Sequence, residues 1–237
     1  YEYDQMLIEL RKIEAQHPEW ITPDSPSQRA GAPPAEKFDK VRHPAPILSL
    51  GNAFDADGVR AWLERIAKVD ERALEADFVV EPKLDGLSVV LHYRDGIFVQ
   101  GATRGDGEIG EDITGNLRTI KALPLRIPVT EDRRPQTANP LSPFPRPPSY
   151  LVVRGEAFIR IPDFEELNKR QEAAGEKTYV NPRNTAAGAL RQLDSSLTAQ
   201  RPLTILVYQI VSWEDSQQPT GPETQSATIG YLKALGF

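Results

Sequence analysis

The chain has 237 residues, 39% hydrophobic and 26% charged, enough for one sizeable core or one large domain with a small appendage. It contains no cysteine, so neither a disulfide framework nor a thiolate zinc site can form among these residues, which is in keeping with an intracellular protein. With 28 basic and 34 acidic residues the net charge is −6, so any nucleic-acid contact must use local arginines or other parts rather than bulk attraction.

The acidic start, Tyr1-Glu2-Tyr3-Asp4, is not a signal peptide, and no apolar run approaches the roughly 20 residues of a membrane span. Without an initiator Met and opening inside a helical pattern, the chain reads as a piece cut from something longer. Tyr3, Met6, Leu7, Leu10 and Ile13 fall at helical spacing and predict an amphipathic helix that stops near His17-Pro18. Thr22 to Arg29, with Ala30 to Pro34, reads as an ordered loop and linker, and a domain boundary is expected near Phe38. A second helix is expected from Asp57 as N-cap, with Val59, Trp62, Leu63 and Ile66 on its buried side.

Phe78-Val79-Val80 reads as a buried strand. Leu87 to Tyr93 and Ile97 to Thr103 flank Arg94-Asp95-Gly96, the signal of an antiparallel hairpin. Seven prolines between Pro128 and Pro148, with little apolar sequence, predict an exposed, mobile excursion. Tyr150 to Ile159 is a further strand, Asp163 and Glu166 form a capping-box pattern opening a helix, and Leu203 to Val211 is an apolar strand. A last helix ends at Gly236. Hairpins mixed with helices give an α+β class with antiparallel sheets.

Four stretches carry chemistry. Glu81-Pro82-Lys83-Leu84-Asp85-Gly86 puts a lysine at the expected strand end before a turn. An amine becomes a nucleophile only when deprotonated, which burial or a neighbouring cation promotes; the alternative is a solvated lysine. Gly105-Asp106-Gly107-Glu108-Ile109-Gly110 matches the dinucleotide-binding spacing and would precede a helix over 111–122. The preceding strand belongs to a hairpin, though, whereas a Rossmann strand is parallel and buried. The glycines then serve a turn, with Arg104 beside a donor-rich loop as a phosphate or ribose contact. Arg154-Gly155-Glu156 interrupts an apolar strand with two charges, either a cross-strand ion pair or a carboxylate for a sugar hydroxyl. Asn181-Pro182-Arg183-Asn184 opens a helix of small residues. Arg183 and Arg191, eight apart, project to similar sides, for phosphate binding or merely as solvated groups on a packed helix.

Together these stretches, with Ala102 to Gly107, Gly110 to Thr114 and the run through Leu193-Asp194, closely resemble the bacterial NAD-dependent DNA ligase family. Lys-x-Asp-Gly alone is shared with ATP-dependent ligases and capping enzymes; the later stretches are far more specific. The likeness runs nearly end to end, the Pro-rich segment apart. It implies a nucleotidyltransferase (ATP-grasp-like) fold, with antiparallel sheets and flanking helices, preceded by a small helical segment. Residues 1–37 would be part of the helical Ia domain that recognises nicotinamide mononucleotide. Residues 38–237 would be the adenylation domain without its C-terminal motifs.

The resemblance makes Lys83 the residue that takes AMP from NAD, before AMP passes to the 5′-phosphate of a nick and the 3′-hydroxyl displaces it. By motif, Glu81 contacts adenine, Arg104 and Glu156 the ribose, and Ser49 and Leu50 line the AMP pocket. Arg183 and Arg191 hold phosphates of AMP and the nick, Tyr3 and Asp4 contact the mononucleotide, and Asp85 serves later steps in a role left open. The implied cofactors are NAD and Mg or Mn, with metal ligands unassigned here and zinc only in family parts outside this chain. The implied partner is nicked duplex DNA, and the implied setting is a monomer in the bacterial cytoplasm with no membrane contact. The family's Tyr-His pair and an aspartate of Ia, its Asp-Gly-Val-Val-Ile-Lys strand and its DNA-clamping domains are not among these residues. The 237 residues alone are therefore expected not to seal nicks. The competing readings are a non-catalytic nucleotide- or DNA-binding module and an RNA ligase or capping-type nucleotidyltransferase.

Overall fold

The computed structural model describes residues 2–29, 37–49, 51–128, 146–217 and 220–237, the side chains of 2–4 excepted. In chain order its regular elements are α1 (Glu2–Gln16), β1 (Lys40–Arg42), α2 (Ala56–Ala67), β2 (Leu87–Arg94), β3 (Ile97–Thr103), β4 (Ile109–Glu111), α3 (Thr114–Arg118), β5 (Tyr150–Ile159), α4 (Ile161–Ala173), α5 (Pro182–Leu190), α6 (Ser195–Ala199), β6 (Leu203–Glu214) and α7 (Gln225–Leu235). Four strands form an antiparallel sheet in the order β3-β2-β5-β6, and β1 pairs with β4 in a separate two-stranded ladder. This is the mixed helix and antiparallel-sheet class expected. The Gly105 to Gly110 stretch leads into β4 and the short α3, not into a long helix beside a parallel sheet, so the dinucleotide-fold reading fails.

By its contacts the chain divides into two compact units, residues 1–46 with 84–237, and residues 47–83. In the larger unit the hairpin forms where the sequence alternates. Asp95 and Gly96 adopt positive φ of 47° and 77°, the turn geometry that matches strand twist. Period-two alternation sends Val89, Leu91 and Tyr93 of β2, and Leu151, Val153 and Ala157 of β5, to one sheet face. There they join Leu117 of α3, Leu190 of α5, and Leu232 and Leu235 of α7 in a single core. Fully buried leucines such as Leu91 and Leu151 each contribute on the order of 2–3 kcal/mol by leaving water. Tyr93, also fully buried, has its hydroxyl donating to the Pro124 carbonyl at 2.8 Å, so its polar end is satisfied.

The segment expected as a linker is docked on this body. Arg29 donates to the carbonyls of Arg118, Ile120 and Leu123 at 3.2, 2.9 and 2.9 Å, and Arg118 donates to the Pro23 carbonyl at 2.8 Å. Asp24 pairs with Arg126 at 2.6 Å. Residues 30–36 and 129–145, the rest of the expected linker and most of the Pro-rich excursion, lie outside the described residues.

The smaller unit departs from expectation. Its helix α2 is capped by Asp55, which accepts from the Gly58 amide at 2.7 Å, two residues before the expected Asp57. Asp57 lies in the first turn and pairs with Arg60. None of α2 is buried, and Val59 and Trp62 are 51% and 42% exposed. A unit this small has too few apolar neighbours to cover a helix face. Phe78-Val79-Val80 is not a strand: it has no ladder partner among the described residues, and Val80 is 95% exposed. An apolar run becomes a strand only beside another strand.

Candidate active site

Gly86 is fixed by the close approach of two backbones. A Cβ there would lie 2.2 Å from the Ala157 carbonyl oxygen, so only glycine lets the chain enter β2 against β5. Its amide donates to Glu156 Oε1 at 3.1 Å. The register sets Ser88 opposite Glu156 and Val90 opposite Arg154, which places Ser88, Arg154 and Glu156 on the sheet face away from the core. Arg154 Nε donates to Ser88 Oγ at 3.1 Å, and its guanidinium lies 5.7 Å from the Tyr208 ring centroid. Across the ladders Arg154 faces Val90 and Gln209, and Glu156 faces Ser88 and Leu206. Arg154 and Glu156 stand two residues apart on β5 and so share this face.

Arg104 follows β3 and is tied by its backbone. Its N–H donates to the Ser88 carbonyl at 3.0 Å, and its own carbonyl accepts from Gly107 N at 3.1 Å and from His43 Nε2 at 3.0 Å. The loop it opens uses its own donors. Asp106 Oδ1 accepts from the amides of Glu108 and Ile109 at 2.9 and 2.8 Å, which hold its carboxyl below the usual range, Ile109 most strongly. The Gly107, Glu108 and Ile109 amides are thus engaged within the loop, beside Arg104. Gly105, at φ 59°, makes the turn.

Asp85 pairs with Arg183 at 3.3 Å, both side chains largely exposed. Arg183 stands in the first turn of α5, whose N-cap Asn181 accepts from the Asn184 amide at 2.8 Å. A cation there meets the positive end of the helix dipole, and the Asp85 carboxylate offsets it. Arg191 lies past the last residue of α5 with a non-helical backbone and pairs with Glu111 of β4 at 3.5 Å. The two arginines therefore serve different carboxylates instead of projecting from one helix face. Ala186, Ala189 and Leu190 are buried, so the small residues of α5 pack inward.

Thus the larger unit brings Asp85, Arg104, Glu156 and Arg183 around the start of β2, with Arg191 beside β4. Lys83 and Glu81, both exposed, belong to the smaller unit, as does Ser49, while Leu50 lies outside the described residues. Lys83 does not end a strand; three residues separate it from the first of β2. The side chains of Tyr3 and Asp4 are also outside the description. The motifs did not point to Ser88, whose hydroxyl accepts from Arg154 and whose carbonyl accepts from the Arg104 amide, or to His43, which holds the Arg104 carbonyl. Ser88 sits one residue into β2 and His43 just after β1; only strand pairing reveals either. Among the described residues no three of His, Cys, Asp and Glu gather as a metal cage. No helix among them is long and apolar enough to cross a membrane.

The mixed antiparallel architecture and this polar sheet face are consistent with an adenylation domain. Residues 35–237 match the NAD-dependent DNA ligase adenylation domain, and residues 1–31 match the DNA ligase-like, N-terminal NAD+-binding domain. The chain belongs to the NAD-dependent DNA ligase family. It is 50% identical over 236 residues to a DNA ligase of Roseiflexus castenholzii, covering 100% of this chain and 32% of that protein. It is 51% identical over 239 residues to one of Chloroflexus aggregans, covering 100% and 33%. A DNA ligase of Desulfitobacterium hafniense is 47% identical over 236 residues, covering 100% and 32%. The chain spans about a third of the length of the curated relatives it matches.

Proposed function

We propose that this chain forms the lysyl-AMP intermediate of an NAD-dependent DNA ligase, on a nucleotidyltransferase fold spanning 38–237 with a helical Ia segment over 1–37. The Lys83 amine, having given its proton to solvent, attacks the adenylyl phosphorus of NAD. The N–P bond forms as the pyrophosphate P–O bond breaks, and nicotinamide mononucleotide leaves with that electron pair. AMP then passes to the 5′-phosphate of a nick in duplex DNA, and the 3′-hydroxyl displaces it. Catalysis here is mainly positioning and cationic stabilisation of the transferring group.

The single observation that carries this reading is the Gly86 amide on Glu156 Oε1 at 3.1 Å, which joins the glycine of the Lys-x-Asp-Gly motif to the strand bearing the proposed sugar contact. Glu156 and Arg104 orient the ribose, Glu81 reads adenine, and Ser49 and Leu50 line the nucleotide pocket. Tyr3 and Asp4 meet the mononucleotide. Arg183 and Arg191 exchange their carboxylates for phosphate oxygens, and Asp85, released from Arg183, serves the later steps. A divalent ion, Mg or Mn, is part of this proposal as an ion carried by substrate phosphates. The setting proposed is a monomer in the bacterial cytoplasm, acting in DNA replication and repair. Mass spectrometry tests the chemistry: incubation with NAD should leave one AMP on Lys83, and Lys83→Arg, which keeps the charge but not the removable proton, should leave none. An adduct on the arginine variant would refute the assignment.

A further inference from the structure

His43 stands where one strand meets the loop that presents Arg104. β1 pairs with β4 through Val41 opposite Gly110 and Arg42 opposite Ile109. The next residue, His43, continues this contact, its amide donating to the Glu108 carbonyl at 2.9 Å. Its ring then turns under the same loop and places Nε2 3.0 Å from the Arg104 carbonyl. A carbonyl can only accept, so Nε2 is the donor. The residue is 7% exposed, and Nδ1 is buried with no partner. A buried nitrogen without a partner is unfavourable, and an apolar side chain would fill the space without that defect. What an apolar side chain could not supply is the Nε2–H bond to Arg104.

We infer that His43 is a positioning residue that holds the Arg104 backbone so that its guanidinium meets the nucleotide, a role that rests on the proposed contact between Arg104 and the ribose. The backbone of residue 104 is held by its N–H on Ser88 of β2, and by its carbonyl on Gly107 and on His43. Of these only the His43 bond comes from a side chain, so it alone can be removed by substitution without altering the backbone. The seat is close. A Cβ at Gly110 would come within 3.2 Å of His43 Cε1, so the ring has little room to settle elsewhere.

The test is the kinetics of Lys83 adenylation by NAD in the ligase that carries this chain, with His43→Leu, His43→Gln and Arg104→Ala made singly and His43→Leu also combined with Arg104→Ala. Losing the bond should raise the KM for NAD about tenfold in His43→Leu with kcat little changed, since a binding contact is lost and no reacting group is touched. The glutamine amide can donate at nearly the reach of Nε2, so His43→Gln should recover most of the loss. On the Arg104→Ala background His43→Leu should change KM no further, because its whole effect passes through residue 104. If the leucine variant does not fold, His43→Asn, polar but too short to reach the carbonyl, takes its place. An equal loss on both backgrounds, or a glutamine variant no better than leucine, overturns the positioning role alone. An Arg104→Ala enzyme with an unaltered KM overturns the ribose contact itself and the inference with it.

Discussion

Acidification should weaken the fold through one histidine. His92 lies on β2, is 4% exposed, and bonds Tyr150 Oη through Nδ1 at 2.7 Å, while Nε2 has no partner. Burial above all, then the charges of His43 and Arg94, push its pKa from 6.5 down to about 4, against a smaller opposing pull from Asp112. The folded state therefore binds the proton later than the unfolded chain does. The stability contributed by a neutral His92 is present above pH 6.5 and is lost as pH falls from there to about 4. At about 1.4 kcal/mol for each pH unit between the two pKa values, the whole loss is roughly 3 kcal/mol. His92→Phe keeps a ring, removes the titration and also removes the orphaned nitrogen. Tyr150 is only half-buried, so water can replace the lost partner. Denaturant unfolding of both proteins at intervals from pH 7.5 to pH 4 should give curves that diverge below pH 6.5, with the phenylalanine protein gaining relative to the parent. Groups that do not act on His92, including the carboxyls of Asp24 and Asp106 held below their usual range, act in both proteins and cancel in the difference. Parallel curves across that window would refute the linkage.

Gly86→Ala should fail on both stability and adenylation, because its Cβ would sit 2.2 Å from the Ala157 oxygen; a melting-point loss corresponding to roughly 3 kcal/mol or more is expected, and a variant that melts like the parent contradicts the close approach. NAD rather than ATP should be the AMP donor on the proposed reading, so labelled NAD should mark Lys83 and labelled ATP should not; equal labelling by both ends that reading.

What the sequence disclosed was local and what it hid was pairing at a distance. The hairpin from Leu87 to Thr103 was legible because Asp95-Gly96 needs positive φ and its flanks alternate. β5 matches the expected span from Tyr150 to Ile159, and α7 ends on Gly236 in the left-handed region at φ 97°. The errors fall where a local signal had a second solution. Asp163 and Glu166 matched a capping box, yet α4 begins at Ile161 with Pro162 in its first turn, and Asp163 binds the Arg160 side chain at 2.6 Å instead of a backbone amide. At the site, the residue types were visible one by one. That Asp85 meets Arg183, or that Arg191 meets Glu111, depends on how α5 lies across β5 and β2, which no spacing encodes.

Those two ion pairs also bear on how the proposed reaction could begin. Each joins side chains that keep much of their surface in water: 60% and 65% for Arg183 and Asp85, 54% and 31% for Arg191 and Glu111. Exposed pairs of this kind are worth about 0–1 kcal/mol, because water screens the charges and ordering two long side chains has an entropic cost. A phosphate offers an arginine the same bidentate, charge-assisted bonding that a carboxylate does. The exchange from carboxylate to phosphate therefore gives up little for either arginine on the proposed reading, and the pairs keep the guanidiniums near the start of β2 and beside β4 until a phosphate arrives. A buried pair in the same place would have resisted the exchange, since separating it strands a desolvated charge. Partial exposure of Asp85 and Glu111 is thus what lets Arg183 and Arg191 be held in place and still be available.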